Sequence, residues 1–272
     1  MPTKPQTIAD AVQIFQATTF PGSLSPQTAW LGFYRALMWY EPVNVVGITS
    51  LPHIIDANAL RPASPKKVPK KVNAWQKRAL AFEKYLAQAF GCQPPQVAGH
   101  VDRLMQLPNY PQGMQRQNSL GIAFAGVVKF VLERLGNSAI SYELEVDGTQ
   151  AFPGVTIHGR SSKPLIDILA RKQQRPVAII STKWSLRLDR INDMTNECPA
   201  YKQAASWTGL SLRYYAATNE FGPTRLHRVL RDPCIDGLVH VHKPAVVNVC
   251  GLDGRLSNML DLADLVSITH KW

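Results

Sequence analysis

The chain is predicted to be a mixed α/β protein, with helices filling its first part and short strands interleaved with helices in its second. Three observations lead there. Residues 118–135 (NSLGIAFAGVVKFVLERL) carry apolar side chains at helical spacing, dense enough for a central helix. Beyond Gly136-Asn137, SYELEVDG alternates in the manner of a strand and closes on an Asp-Gly turn. Two apolar runs then follow each other closely, from Pro164 and from Val177 to Ile180, joined by the polar turn Arg171 to Pro176, which reads as a β-hairpin. With 272 residues, 45% of them hydrophobic and 18% charged, the chain has ample core. One domain over 1–272 is expected, helical over about 1–137 and sheet-based over about 138–272.

In chain order, residues 7–18 and 28–40 have helical periodicity, separated by the breaker Phe20-Pro21-Gly22-Ser23. The aromatics of the second suit core packing better than base stacking. Val43 to Ile48 reads as a short strand. Between Arg61 and Arg78, Pro62, Pro65 and Pro69 argue against regular structure, while Lys66, Lys67, Lys70, Lys71, Lys77 and Arg78 gather positive charge. That segment is either a solvated loop or an arm for phosphates, which would add affinity and salt dependence without sequence choice. Residues 73–90 read as a helix with apolar positions at Trp75, Leu80, Phe82, Leu86 and Phe90, ended by Pro94-Pro95.

Past the hairpin, a helix is expected to begin near Asn196 or Glu197, with Pro199 in its first turn, where proline is tolerated. Residues 210–221 (LSLRYYAATNEF) read as a strand towards Asn219 and Thr224 to Leu230 as a short helix. LVHVH and AVVNVC read as two more strands. SNMLDLADLVSI reads as an amphipathic helix capped by Ser257 or Asn258.

The net charge is +11 and the pI about 9.6. Long-range attraction of that sign favours a polyanionic partner, with nucleic acid ahead of a membrane surface, because the basic residues do not line one face of an amphipathic helix. No apolar run approaches the roughly 18 residues of a spanning helix. The start, MPTKPQTIADAVQIF, has no apolar leader core. Cys92, Cys198, Cys234 and Cys250 are scattered, without metal-ligand spacing, and are expected to be reduced thiols of a cytoplasmic protein.

The candidate chemistry lies between Pro164 and Glu197. Strands of one hairpin would bring Asp167 and Lys183 to the same end of a sheet. Cutting a phosphodiester requires a positioned water, neutralisation of charge on the phosphate and a stabilised leaving oxygen. Mg²⁺ held by hard carboxylate oxygens meets those needs. A lysine beside it orients or activates the water. Ser181 stands two residues before Lys183, where an acid would be usual, so a second carboxylate must come from elsewhere. Glu197, on the following helix, is the candidate. Spacing alone is weak support, and the bland alternative is a hairpin with a turn-bonded Asp167 and a solvated Lys183.

The residues beyond Lys183 add specificity. Ser181-Thr182-Lys183-Trp184-Ser185-Leu186-Arg187-Leu188-Asp189-Arg190, with Glu197 further on, resembles the signature of the CCGG-cutting type II restriction endonucleases of the NgoMIV, SgrAI and AgeI kind. That family has a variant PD-(D/E)XK site in which S-x-K replaces acid-x-K, a glutamate is displaced to the next helix, and R-x-D-R follows the lysine. The resemblance covers mainly residues 164–200. It implies a restriction-endonuclease-like core, with a mixed sheet flanked by helices, in an enzyme that hydrolyses double-stranded DNA with Mg²⁺. Asp167 and Glu197 would bind the metal, with Ser181 in support. Chemistry agrees on Arg187, Asp189 and Arg190, since arginine donates bidentately to guanine and aspartate accepts from cytosine N4.

Two features depart from the family. Asp167 lies closer to Lys183 than its counterpart does there, and it follows Ile166 instead of a proline. Asp147 is therefore the alternative metal acid. A further family glutamate near the metals would fall on Glu83, around which no motif is present. A palindromic site implies a homodimer on DNA, and a restriction enzyme implies a cognate methyltransferase in its host. The resemblance implies a 5′ CCGG overhang. The outer base pair stays open among ACCGGT, RCCGGY and GCCGGC, with the first two preferred. The competing readings are a basic DNA-binding protein without catalysis and a nuclease of the same core with another target or a repair role.

Overall fold

In the computed structural model, residues 3–19, 24–37, 41–45, 48–50, 68–101, 114–157, 164–251, 256 and 258–272 are described. The predicted α/β class is the one the chain adopts. A six-stranded mixed sheet runs in sequence order β3-β4-β5-β6-β7-β8, flanked by helices.

Helices Lys4–Thr19 (α1) and Ala29–Leu37 (α2) pack with Met114–Leu135 (α4), and α4 lies across the sheet. Phe15, Phe33 and Phe124 meet edge-to-face at 5.4 and 5.8 Å, the preferred geometry of buried aromatic pairs. The aromatics of the second helix are thus core, as expected. Residues 38–40 of that predicted helix lie outside the described residues. The strand predicted over 43–48 is a small antiparallel pair, Glu41–Val45 (β1) with Ile48–Ser50 (β2).

The helix predicted from 73 begins earlier, as Val68–Phe90 (α3). Pro69 sits in its first turn, where the missing N–H costs no helical hydrogen bond. Lys70 and Lys71 are therefore helical and not part of a loop. Lys66 and Lys67 lie outside the described residues. A 3-10 turn, Pro94–His100, follows.

Strand Ile140–Asp147 (β3) pairs antiparallel with Leu165–Lys172 (β4), and β4 pairs antiparallel with Arg175–Lys183 (β5). This is the predicted hairpin. Its two-residue link, Gln173-Gln174, takes left-handed φ of 49° and 65°, whose twist suits a tight hairpin. A one-turn helix, Gly148–Ala151 (α5), follows β3.

From β5 the sheet turns parallel. Leu188–Trp207 (α6) crosses to Arg213–Thr218 (β6), Pro223–Leu230 (α7) crosses to Gly237–His240 (β7), and Lys243–Cys250 (α8) leads to Leu260–Asp261 (β8). Residues 178–182 of β5 and 214–218 of β6 are all buried, as central parallel strands covered on both faces must be. Lys183, Thr218, His240 and Asp261 form one register row across the ends of these strands.

Three expectations are corrected. Helix α6 begins at Leu188 and not near Glu197, so Pro199 lies inside it. AVVNVC is helix α8, because Pro244 favours a first helical turn and Gly251, at φ 78°, ends it. The last helix, Leu262–Thr269 (α9), is capped by Asp261 in a capping box with Asp264, later than the predicted caps. Of those, Ser257 lies outside the described residues.

The cysteine expectation also changes. Cys198 and Cys234 form a disulfide across 36 residues, with Cα atoms 6.0 Å apart, while Cys92 and Cys250 stay outside any disulfide. Their separation in sequence hid a contact made when α6 packs beside the segment entering β7. Lys202 fastens the same seam, donating to the Cys234 carbonyl and pairing with Asp236 at 2.7 Å. Among the described residues, no helix is long and apolar enough to cross a membrane.

Candidate active site

The hairpin register makes the site. Ile168 pairs with Ile180, so the next residue of β4, Asp167, comes beside Ser181 at the end of β5. Asp167 Oδ2 gathers three donors: the Ser181 hydroxyl at 3.1 Å, the Thr182 N–H at 2.8 Å and Lys183 Nζ at 2.5 Å. Asp167 and Lys183 keep 28% and 17% side-chain exposure, enough for a substrate to reach them.

Glu197 arrives from the crossover helix α6 and is buried, 7% exposed. The Tyr214 hydroxyl donates to its Oε2 at 3.3 Å. Tyr214 stands on β6, next to β5, the strand that carries Ser181. Burial, and next the negative charge of Glu197, hold the Tyr214 phenol well above its ordinary range, so it stays protonated and donating. Sequence reading missed Tyr214. Its only signal was the Tyr214-Tyr215 pair in a predicted strand, where alternation sends the two rings to opposite faces.

The structure brings Asp167, Ser181 and Lys183 into direct contact and holds Glu197 against Tyr214 on the neighbouring strand. Asp147 stands one strand further out, on β3 opposite Leu165, where its carboxylate caps α5 through the Thr149 N–H at 2.9 Å and hydroxyl at 2.6 Å. Glu83 is half-buried on α3, next to Phe82, whose ring packs on Phe221 at 4.6 Å.

Arg187, Asp189 and Arg190 lie at the start of α6, directly after the segment leaving Lys183. Arg187 is the N-cap and Asp189 sits in the first turn, where a negative charge suits the helix dipole. Arg187 pairs with Asp189 at 3.1 Å and Arg190 with Asp193 at 3.7 Å. Side-chain exposures of 34%, 60% and 40% for Arg187, Asp189 and Arg190 leave these groups open to a partner, and exposed pairs of this kind are weak enough to exchange.

Among the described residues, no group of three or more His, Cys, Asp or Glu side chains converges as a metal cage. A carboxylate beside a lysine, with a second one buried on the following helix, nevertheless fits Mg²⁺, which keeps several waters and takes few protein oxygens.

No family model and no curated protein matches the chain. Among solved structures, the chain is similar to metal-depleted Ecl18kI in complex with uncleaved, modified DNA, at 13% identity and TM-score 0.40, covering 98% of this chain and 79% of that one. It is also similar to metal-depleted Ecl18kI in complex with uncleaved DNA, at 14% identity and TM-score 0.35, covering 97% and 86%. At those scores neither likeness bears on the chemistry of the site, which rests on its own residues.

Proposed function

We propose that this chain is a type II restriction endonuclease with a variant PD-(D/E)XK core, a single domain acting in the cytoplasm on double-stranded DNA with a CCGG-centred palindrome. The observation that carries this reading is the convergence of Ser181, Thr182 and Lys183 on one oxygen of Asp167, with Glu197 held by Tyr214 of the neighbouring strand.

Asp167 and Glu197 would hold Mg²⁺, which supplies charge neutralisation at the scissile phosphate and a more acidic water. Lys183 Nζ, fixed by Asp167, points a positive charge at the place where the attacking water and the phosphate meet, orienting the one and stabilising charge on the other. Ser181, donating to Asp167 Oδ2, would hold that carboxylate in place for the cation. Arg187 and Arg190 match the guanine O6 and N7 acceptors, and Asp189 the cytosine N4 donor. A palindrome is read by two copies, so the working form is a homodimer on DNA. ACCGGT or RCCGGY is the favoured site, cut to leave 5′ CCGG ends, and the host carries a protecting methyltransferase.

The test is digestion of a plasmid carrying several CCGG contexts, with and without Mg²⁺, followed by sequencing of the ends. Discrete Mg²⁺-dependent cuts at one CCGG context support the proposal and name the outer base pair. Defined cuts elsewhere would make it a PD-(D/E)XK nuclease with another target. Bound but intact plasmid would leave a basic DNA-binding protein in which Asp167, Lys183 and Glu197 are structural.

A further inference from the structure

The stretch carrying Arg187, Asp189 and Arg190 does not stand by itself. Between Lys183 and the start of α6, residues 184–187 are fastened at two points to the turn that follows β6. The Trp184 carbonyl accepts from the Asn219 N–H at 3.0 Å and from the Thr218 hydroxyl at 3.4 Å. The Leu186 N–H donates to Glu220 Oε2 at 2.8 Å.

Glu220 is 3% exposed, and its other side-chain bonds go to the residues just beyond it, in the turn and the first part of α7. Oε1 accepts from the Gly222 N–H at 2.7 Å and Oε2 from Arg225 at 3.2 Å. Burial pushes its carboxyl above the usual range, and Arg225 with the Leu186 and Gly222 amides draws it part of the way back. A buried carboxylate is costly unless each lone pair is met, so its partners fix it closely. The turn is anchored from below as well. The Tyr34 hydroxyl donates to Asn219 Oδ1 at 2.9 Å, and Phe221 packs against Phe82 at 4.6 Å and edge-on to His240 at 5.1 Å.

We propose that Glu220 is the positioning residue for base reading: it holds the Leu186 amide, and through it sets the approach of Arg187, Asp189 and Arg190 to the base edges. This inference rests on the reading of those three residues given above. Leu186 is fully buried and adjacent to Arg187, so its displacement moves the start of α6. Base contacts depend on donor–acceptor distances within a few tenths of an ångström and on in-plane geometry. Phosphate contacts tolerate more. Loss of the tether should therefore erode discrimination between sequences while general DNA affinity holds. Asp167 and Lys183 have their own partners in Ser181 and Thr182, and Glu197 has Tyr214, so metal dependence should not move.

Glu220→Gln tests this. The amide has one acceptor oxygen and one donor nitrogen, so it cannot accept from both the Gly222 and Leu186 N–H groups as the two carboxylate oxygens do. Binding is measured with Ca²⁺ in place of Mg²⁺, to a duplex with the preferred CCGG site and to duplexes with one core base pair replaced. The expected result is at least a tenfold fall in discrimination, with affinity for unrelated DNA and the Mg²⁺ concentration for half-maximal cleavage unchanged. Undiminished discrimination in folded protein overturns the proposal, as does a parallel loss of discrimination and Mg²⁺ response. If the amide does not fold, Glu220→Asp, which keeps the charge but withdraws the oxygens by one methylene, is read by the same criteria.

Amide hydrogen exchange decides the tether independently of both variants: in the wild-type protein the Leu186 N–H must be protected, and an open-chain rate overturns the proposal. A wild-type protein that discriminates in binding but never cuts sinks the nuclease reading alone. One that cuts at a defined site, while folded Glu220→Gln still discriminates, sinks only the role of Glu220.

Discussion

The Tyr214 hydroxyl donates to Glu197 Oε2 from the strand next to the one that carries Lys183. Both residues are buried, and a buried carboxylate that loses a donor bears a desolvation cost of about 1–3 kcal/mol. Tyr214→Phe keeps the ring in the core and removes only the hydroxyl. Its expected effects are a fall of roughly 1 kcal/mol in stability and a higher Mg²⁺ requirement for cleavage. A denaturant titration and a Mg²⁺ titration of the cleavage rate check them. An unchanged Mg²⁺ requirement would show that Glu197 does not depend on Tyr214.

Lys183 and Asp167 should separate binding from chemistry. On the proposed reading Lys183→Ala removes the charge that would act on the reacting phosphate, and losing one such electrostatic group costs on the order of 10²–10³ in rate. DNA binding should persist, because Arg187 and Arg190 and the basic surface are untouched. Gel-shift affinity beside single-turnover cleavage separates the two effects. Equal loss of both would place Lys183 in DNA binding instead.

His240, the last residue of β7, and His242 just beyond it predict an acid-sensitive fold. Burial holds His240 down to about 3 and His242 down to about 4. The His242 ring stacks on Trp30 at 3.8 Å, and its Nε2 lies 2.7 Å from the Tyr85 hydroxyl. With native values depressed, only the unfolded chain gains protons as pH falls below about 6.5, so stability is full above that pH and is lost between it and the native values. At pH 5 the loss should be on the order of 2 kcal/mol for each histidine. Thermal melts at pH 7.5 and pH 5 measure it, and His242→Gln should flatten the dependence. A melting temperature constant over that span would contradict the buried neutral rings.

The Cys198–Cys234 disulfide makes a counting prediction. Denatured, unreduced protein should give two reactive thiols, from Cys92 and Cys250, and reduced protein four. Closing a loop of this length stabilises by roughly 4 kcal/mol in the chain-entropy account, so reduction should also lower the melting temperature. Four thiols before reduction would restore the reading of scattered free cysteines.

The hairpin and its acid–lysine pair were legible because strand signals and turn chemistry are local. Asp167 and Lys183 needed only the register that Gln173-Gln174 sets. The start of α6 was not legible. Pro199 looked like a first-turn proline, whereas the helix runs through it from Leu188, supported by packing of Ile191, Met194, Cys198 and Tyr201. AVVNVC misled through its β-branched residues, whose preference yields to tertiary context. Tyr214 and Glu220 were invisible as partners because parallel pairing of β5 and β6 joins residues far apart in sequence, and no local pattern announces it.

The central claim is that Asp167, Lys183 and Glu197 form one metal-dependent phosphodiester-cutting site. Its most direct test is single-turnover cleavage of an end-labelled duplex with one ACCGGT site, by wild-type, Asp167→Ala, Lys183→Ala and Glu197→Ala proteins, in Mg²⁺ and in EDTA. The account expects one cut leaving a 5′ CCGG end, seen only with Mg²⁺ and only with the wild-type protein. Cleavage that persists in EDTA, or in any folded variant at the wild-type rate, would contradict it.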